Sequence, residues 1–226
     1  MSDIRLSIIV PTLNEAGGIV ATLQPLQPLR RRGHEVILAD GGSTDTTVLL
    51  AEPWVDQTTH SHCGRALQMN TGAQAAHGQI LLFLHADTQL PPDADRLLLE
   101  ALRTHRWGRF DVRLSGTRIG LRIIEWLMNW RSRLSGIATG DQAIFVRRDA
   151  FQQVGGFPAI PLMEDIALSR ALKKLDRPRC LRTRVTTSSR RWEQQGLIRT
   201  VLLMWRLRLA YWLGADPARL AKQYRA

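Results

Sequence analysis

The segment that most constrains the fold is 80–89, which reads ILLFLHADTQ. Its five leading apolar residues lack period-two alternation, and Gly78 and Pro91 are turn signals on either side, so the pattern predicts a strand buried on both faces of a sheet. Because strands of an open α/β sheet end at the ligand crevice, His85 and Asp87 are expected there. Asp87 suits Mg²⁺ or Mn²⁺ bound to phosphate, and capping of the next helix is the alternative.

Length and cysteine content limit the fold class. A chain of 226 residues suits one α/β domain, with or without a helical appendage, and can bury a sizeable core. The cysteines, Cys63 and Cys180, show no CxxC spacing, and no secretory leader is recognisable. We therefore expect a cytoplasmic protein without disulfides.

Positive charge is concentrated near the carboxyl end. The formal net charge is +11, and residues 177–226 contain twelve Arg and Lys against Glu193 and Asp216. Such a segment is suited to nucleic acid, anionic lipid or an acidic substrate, and composition does not choose among them.

The same tail contains an apolar run at 201–205 that Arg206 and Arg208 interrupt, so no segment is expected to cross a bilayer. Residues 196–213 predict a basic, Trp-bearing helix. This helix either docks under the rest of the chain or lies on anionic lipid, and we favour packing close to a membrane.

Two strand-then-helix units are predicted at the start of the chain. The run 6–10 predicts a strand that Pro11 ends, followed by a loop to Glu15. The run 35–39 predicts a second strand that leads into Asp40 and two glycines. Asp40 is either a ligand-binding group at the strand tip or the acceptor of a capped turn.

Further elements complete a parallel sheet with crossover helices. Helices are predicted over 17–29 and 64–78, and a short third strand over 54–56. Arg65, at the start of the second helix, is expected either to meet a phosphate or to remain solvated. Parallel strands share a direction, so the strand-tip aspartates and the first loop should converge at one sheet edge.

Four motifs occur together in this half of the chain: PTLNE at 11–15, DGGSTD at 40–45, NTG at 70–72 and HADTQ at 85–89. In this order they resemble the nucleotide-sugar half of a family 2 glycosyltransferase, which has a GT-A fold. The resemblance implies that the D-x-D element holds a divalent cation, Mn²⁺ or Mg²⁺, on the donor diphosphate.

The D-x-D element departs from the family pattern in this chain. Its second acid, Asp87, is expected on the metal, whereas His85 replaces the first acid. A neutral imidazole can ligate Mn²⁺ or hydrogen-bond a ribose hydroxyl but weakens a Mg²⁺ site made of oxygen ligands, so the identity of the metal stays open. Small members with an H-A-D element are associated with arsenosugar biosynthesis, and this chain resembles them.

The resemblance also implies a set of nucleotide contacts. They lie in the first loop, at the second strand tip, at the start of the second helix and in the HAD motif: Pro11, Thr12, Leu13, Glu15, Asp40, Arg65 and Ala86.

The second half resembles the acceptor half of the same family. Alternating charge over 110–114 predicts an edge strand, and 119–134 predicts an amphipathic helix that packs in the core or lies on a membrane surface. A G-D-Q loop before a strand and a G-G-F turn at 155–157 match the family pattern. The resemblance places Gly140, Asp141 and Gln142 beside the sugar and the acceptor.

Catalytic roles follow from two further matches. Glu164 and Asp165 resemble the E-D element, in which Asp165 would be the catalytic base; a charge that complements the helix dipole is the alternative. The sequence SSRRW at 188–192 resembles a degenerate Q-x-x-R-W signature of processive members. Because serine replaces the glutamine, a polymer-making synthase is disfavoured, while Arg191 is expected on the leaving diphosphate and Trp192 on a sugar.

We therefore predict an α/β protein of GT-A type, with a mostly parallel central sheet flanked by helices and a basic helical tail. The boundaries are 1–195 for the transferase domain, divided into 1–90 and 91–195, and 196–226 for the tail. The expected function is inverting, metal-dependent transfer from a nucleotide-diphosphate sugar to an acceptor hydroxyl. Peripheral membrane contact and no nucleic acid partner are expected.

The sequence disfavours two rival functions. A sugar-phosphate nucleotidyltransferase is disfavoured because residues 11–18 carry no basic side chain. A non-enzymatic lipid or nucleic-acid binding module leaves the three carboxylates at loop positions unexplained.

Overall fold

The computed structural model describes residues 6–225 and contains an eight-stranded mixed sheet with the order β3-β2-β1-β4-β7-β6-β8-β5. The strands are β1 Leu6–Thr12, β2 Glu35–Asp40, β3 Gln57–His60, β4 Ile80–Phe83, β5 Thr88–Gln89, β6 Trp107–Leu114, β7 Phe145–Arg147 and β8 Arg179–Thr187. The helices are α1 Ile19–Leu23, α2 Gln27–Arg31, α3 Thr47–Ala51, α4 Arg65–Ala75, α5 Ala94–Ala101, α6 Ile119–Ser135, α7 Arg148–Gln153, α8 Glu164–Leu172, α9 Arg190–Gln195, α10 Leu197–Trp212 and α11 Pro217–Arg225.

The predicted central strand is buried on both faces. Side chains of β4 and the following residue alternate between two hydrophobic clusters on opposite faces of the sheet, with Leu82 and Leu84 in one and Leu81 and Phe83 in the other. The prediction from the apolar run at 80–84 is thus confirmed.

The first half of the sheet is parallel, as predicted. Strand β1 pairs in parallel with β2 and β4, and β2 pairs in parallel with β3. Helix α4 packs closely on β1 and β2, since a Cβ atom at Gly72 would overlap Ile9 and touch Ala39. A small residue at this position of the helix therefore allows the close approach to the sheet.

Two predicted strand positions were wrong. Strand β1 continues through Pro11 to Thr12. The backbone carbonyl of Ile9 accepts a hydrogen bond from Leu84, the residue after β4. The backbone nitrogen of Pro11 faces the same side of β1, but it lies beyond the last residue that pairs with β4, so its missing N–H leaves no ladder hydrogen bond unmade. The third strand lies at 57–60, because residues 52–54 form a 3₁₀ turn.

Strand β6 is internal, so the edge-strand prediction for 110–114 was wrong. It lies between β7 and β8. Two of its three charged residues are paired inside the protein: Arg109 is fully buried and forms an ion pair with Asp111, and Arg133 of α6 approaches the same carboxylate at 2.5 Å. Arg113 is exposed. The charge at Asp111 therefore reflects buried ion pairs rather than a solvent-exposed edge.

The tail packs on the rest of the chain. Leu207 of α10 and Leu220 of α11 share a buried cluster with Met163 and Ile166 of α8. Among the described residues, no helix has both the length and the apolar character needed to cross a membrane. The outward faces of α6 and α10 nevertheless carry large exposed apolar side chains: Ile119, Ile123, Trp126, Leu127, Trp130 and Leu134 on α6, and Ile198, Leu202, Trp205, Leu209 and Trp212 on α10.

Candidate active site

Two adjoining cavities open at the carboxyl ends of the parallel strands. The first cavity, of about 490 Å³, is lined by five of the predicted nucleotide contacts: Pro11, Thr12, Leu13, Glu15 and Arg65. The central cavity, of about 520 Å³, is lined by seven further residues named in the sequence analysis, among others: His85, Ala86, Asp87, Asp141, Ser188, Arg191 and Trp192. Both cavities include Pro11, Glu15, Arg65 and Tyr224, so they form one continuous site.

The first loop is fastened to the turn after β2. Asn14 has a positive φ of 55°, and its side-chain carbonyl accepts a hydrogen bond of 2.9 Å from the backbone N–H of Thr44. The backbone N–H of Asn14 donates to Ser43 at 2.9 Å. These hydrogen bonds make the PTLNE and DGGSTD motifs one structural unit beside the first cavity. In the same loop, burial and the nearby Asp87 carboxylate raise the pKa of Glu15.

Asp40 accepts hydrogen bonds within the turn that follows β2. Its carboxylate accepts hydrogen bonds from the backbone N–H groups of Gly42 and Ser43, at 2.9 and 3.1 Å. Burial acts to raise the pKa of Asp40, but these hydrogen bonds and that of the Ser43 hydroxyl outweigh it and lower the pKa. Within the described chain Asp40 lines neither cavity, so its contact with a nucleoside stays a prediction.

Asp87 presents an exposed carboxylate to the central cavity. The hydroxyl groups of Thr88 and Thr187 donate to one of its oxygens at 3.3 and 3.4 Å, and the pairing of β5 with β8 brings these threonines together. No group of three or more His, Cys, Asp or Glu suited to a metal occurs in the part of the chain that is described. One exposed carboxylate does fit a Mg²⁺ or Mn²⁺ ion whose other ligands are water and substrate oxygens.

The G-D-Q loop at 140–142 contacts both the residues after β4 and the start of α8. The Nδ1 atom of His85 lies 3.3 Å from a carboxylate oxygen of Asp141. The Nε2 atom of His85 is buried against Gly140, where a Cβ atom would overlap the ring. The backbone N–H of Gly140 donates to the Asp165 carboxylate at 3.0 Å. His85 thus contacts this loop, and its role as a metal ligand stays a prediction.

The pKa values of Asp165 and Asp141, the two carboxylates at this loop, are shifted in opposite directions. Burial, and next the carboxylate of Glu164, raise the pKa of Asp165 to about 6. Burial alone would raise the pKa of Asp141 too, but its contact with His85 lowers it. Asp165 is thus a proton acceptor poised close to neutral pH, whereas Asp141 stays ionised.

Glu164 and Gln142 have supporting positions. Glu164 is buried and lies 3.5 Å from the guanidinium of Arg65, so it links the E-D element to the first cavity. Gln142 is fully buried, accepts a hydrogen bond of 3.2 Å from the backbone N–H of Thr139 and braces the G-D-Q loop from within. A direct contact of Gln142 with substrate therefore disagrees with its position.

The carboxyl-terminal helix contributes a residue that sequence reasoning missed. The guanidinium of Arg191 lies 3.6 Å from the ring centre of Tyr224 and donates to the Tyr224 carbonyl at 2.8 Å. Tyr224 lines both cavities. No motif surrounds this tyrosine, and its only sequence signal is its place in an amphipathic tail helix.

The fold and the site together define a class of protein. A parallel half carries a cavity next to a strand-tip carboxylate, and a second half brings Asp165 to the same edge on a helix start. This is the GT-A arrangement of nucleotide-sugar-dependent transferases.

Comparison with known proteins agrees with this class. The model of glycosyl transferase family 2 matches residues 7–154, and the chain belongs to that family. A PGL/p-HBAD biosynthesis glycosyltransferase of Mycobacterium bovis is 36% identical over 97 residues, which are 40% of this chain and 38% of that protein. The chain thus spans well under half the length of that relative.

Solved structures share the fold. A mannosyltransferase of Pyrobaculum calidifontis in complex with GDP-Man and Mn²⁺ superposes with a TM-score of 0.67 at 21% identity, over 97% of this chain and 68% of that one. S. aureus TarS in complex with UDP-GlcNAc superposes with a TM-score of 0.65 at 16% identity, over 81% of this chain and 58% of that one.

Proposed function

We propose that the protein transfers a sugar, with inversion, from a nucleotide-diphosphate sugar to an acceptor hydroxyl. The observation that carries this proposal is the hydrogen bond from Gly140 to Asp165, which holds a carboxylate with a pKa of about 6 beside the loop that contacts the tip of β4. Such a group accepts a proton at neutral pH. Among the described residues Asp165 lines neither cavity itself, but the Gly140 that donates to it is followed by Asp141, which lines the central cavity together with Asp87.

The proposed chemistry is a single displacement. Asp165 takes the acceptor proton while the acceptor oxygen bonds to the anomeric carbon. The bond from that carbon to the diphosphate oxygen breaks on the opposite face, and its electron pair leaves with the nucleoside diphosphate. A divalent cation, Mn²⁺ or Mg²⁺, would be held by Asp87 and would neutralise the diphosphate charge. Arg191 lines the same cavity and adds positive charge there.

Donor binding is assigned to the first cavity. Pro11, Leu13 and Glu15 supply backbone and side-chain atoms along one wall, and Arg65 supplies positive charge on another. The GDP-Man and UDP-GlcNAc complexes of the structural neighbours support a nucleotide-sugar donor.

The proposal includes peripheral contact with the inner face of an anionic membrane. The exposed apolar faces of α6 and α10, together with the positive charge of the tail, support it.

A ligand-stability panel tests the function. In the presence of Mn²⁺, UDP or GDP at a concentration of about one hundred times the nucleotide's Kd should raise the Tm by about 5 °C or more, because a ligand that binds only the folded state stabilises that state. Asp87→Ala should remove the metal-dependent part of this rise, whereas Asp93→Ala, a change at another exposed aspartate, should keep it. Product analysis should find a free nucleoside diphosphate; pyrophosphate as the product, or no shift with any nucleotide, would overturn the proposal.

A further inference from the structure

An apolar groove of about 540 Å³ lies between α6 and α10. Leu127 and Met128 form one wall, and Val201 and Leu209 form the other. Three residues line both this groove and the central cavity: Asp141, Trp192 and Met204. The groove therefore leads from the exposed faces of the two helices to the loop that holds Asp165.

The lining of the groove includes a guanidinium that lies near the carboxylates of Asp165 and Asp141 but makes no hydrogen bond through two of its nitrogen atoms. Arg131 lines the groove, and its Nε and Nη2 atoms are buried without a hydrogen-bond partner among the residues the structure describes. Buried guanidinium N–H groups that lack partners are costly, and a phosphate or carboxylate would satisfy two of them at once. Arg208 adds a second positive charge to the lining.

Apolar walls and a buried guanidinium match one kind of molecule. A carbohydrate chain needs polar partners along its length, and these walls offer few. An apolar chain with a charged head uses both features, since its chain removes the exposed side chains from water and its head meets Arg131.

We propose that the acceptor is an amphiphile with an anionic head group, whose apolar chain fills the groove between α6 and α10 and whose head lies at Arg131. This assignment rests on the proposed function, because it places the acceptor hydroxyl beside the Asp141 loop and Asp165. An acceptor of this class would be delivered from a membrane surface.

Fluorescence titration of the full chain tests the assignment, because Trp192 and Trp205 line the groove. Dodecyl phosphate, below its micelle concentration, should change the emission with saturation. Dodecyl maltoside, which has the same chain and a neutral head, should bind at least about tenfold more weakly, and inorganic phosphate should give no change at these concentrations.

Matched variants test the binding of the apolar chain and the binding of the anionic head group separately. Leu209→Glu and Leu127→Glu place a charge on opposite walls at side chains that are 59% and 39% exposed, so folding should survive, and each should weaken dodecyl phosphate binding about tenfold or more. Arg131→Gln should reduce the preference for the phosphate head. Leu49→Glu on α3 and Arg96→Gln on α5 are controls at exposed positions and should bind as the wild type does.

Nucleotide binding is measured on the same samples by thermal shift. Retained nucleotide binding with equal dodecyl phosphate affinity in wild type, Leu209→Glu and Leu127→Glu would overturn the groove assignment alone. Binding without saturation, as for a detergent, would overturn it too. Loss of nucleotide binding in every sample, wild type included, would instead overturn the proposed function.

Discussion

Asp165 lies in an environment unlike that of an ordinary surface carboxylate. It accepts hydrogen bonds from the backbone N–H groups of Gly140 and Ile166, at 3.0 and 2.7 Å, yet burial and Glu164 raise its pKa to about 6. The two hydrogen bonds fix its orientation, and the raised pKa adjusts its basicity. Both properties suit a general base.

Asp165→Asn should lower turnover by about 10²–10⁴-fold, because the amide has the same shape but accepts no proton. The variant should unfold close to the wild-type temperature, since it removes a charge that burial and Glu164 disfavour but loses one of the two hydrogen bonds from Gly140 and Ile166. Steady-state kinetics and thermal unfolding check the two expectations. Wild-type turnover in this variant would show that another group is the base.

The same pKa gives a pH profile. A base must be unprotonated to act, so kcat/KM should be constant above pH 6 and fall about tenfold per pH unit below it. The measurement needs saturating metal at each pH. A profile that stays flat down to pH 4.5 would exclude Asp165 as the titrating group.

Gly140 is required by the packing of His85. A Cβ atom at Gly140 would overlap the imidazole, so Gly140→Ala should displace His85 and the Asp141 loop and lower turnover about tenfold or more. Nucleotide binding in the first cavity should be retained in a thermal-shift assay. Gly17→Ala is the matched control, because nothing lies within 4 Å of its added Cβ atom. Activity equal to that of this control would contradict the constraint.

At the scale of elements, the helix α11 contributes Tyr224 to the lining of both cavities. Tyr224→Ala removes the ring under Arg191 and should weaken nucleotide binding about 3- to 30-fold, the range that a cation–π contact supports. Tyr224→Phe keeps the ring and should bind as wild type does. Calorimetric titration with a nucleoside diphosphate and Mn²⁺ measures both. Equal losses in the two variants would point to the hydroxyl instead.

The sequence predicts correctly the elements that depend on residues close to one another along the chain. Continuous apolar runs gave β1, β2 and β4, because burial on both faces leaves no alternation. The tips of these strands and the loop at 11–15 were placed correctly at one edge. The sequence of the DGGSTD turn left two roles open for Asp40. The hydrogen bonds from Gly42 and Ser43 show that Asp40 accepts in the turn, and its contact with a nucleoside stays a prediction.

The elements that sequence missed depend on partners far along the chain. Strand β6 was predicted to be an edge strand because charge alternates with apolar residues over 110–114. Asp111 is instead paired with Arg109 and with Arg133 on α6, a helix that no local pattern connects to this strand. Tyr224 reaches the site because α10 and α11 fold back onto α8. Long-range docking of this kind has no short-range signal.

At the scale of the whole molecule, charge and exposed apolar surface lie together. The net charge is +11, and residues 177–226, with twelve Arg and Lys against two acidic residues, contribute most of it. Trp126 and Trp130 on α6 and Trp205 and Trp212 on α10 are each about half exposed or more. Indole side chains suit the boundary between lipid and water, and arginines near them are attracted to anionic head groups.

The protein should therefore bind vesicles that contain anionic lipid and bind neutral vesicles much more weakly. Electrostatic attraction is screened within about 8 Å at physiological ionic strength, so raising the salt from 0.05 to about 0.5 M should release most of the protein. Trp205→Glu should weaken binding about tenfold, because it removes an indole 62% exposed and adds a repelled charge. Leu49→Glu is the control, since Leu49 is 67% exposed on α3. Sedimentation with vesicles measures each case, and binding that is equal on neutral and anionic vesicles, or equal in the two variants, would show that the α6 and α10 faces do not meet a charged membrane.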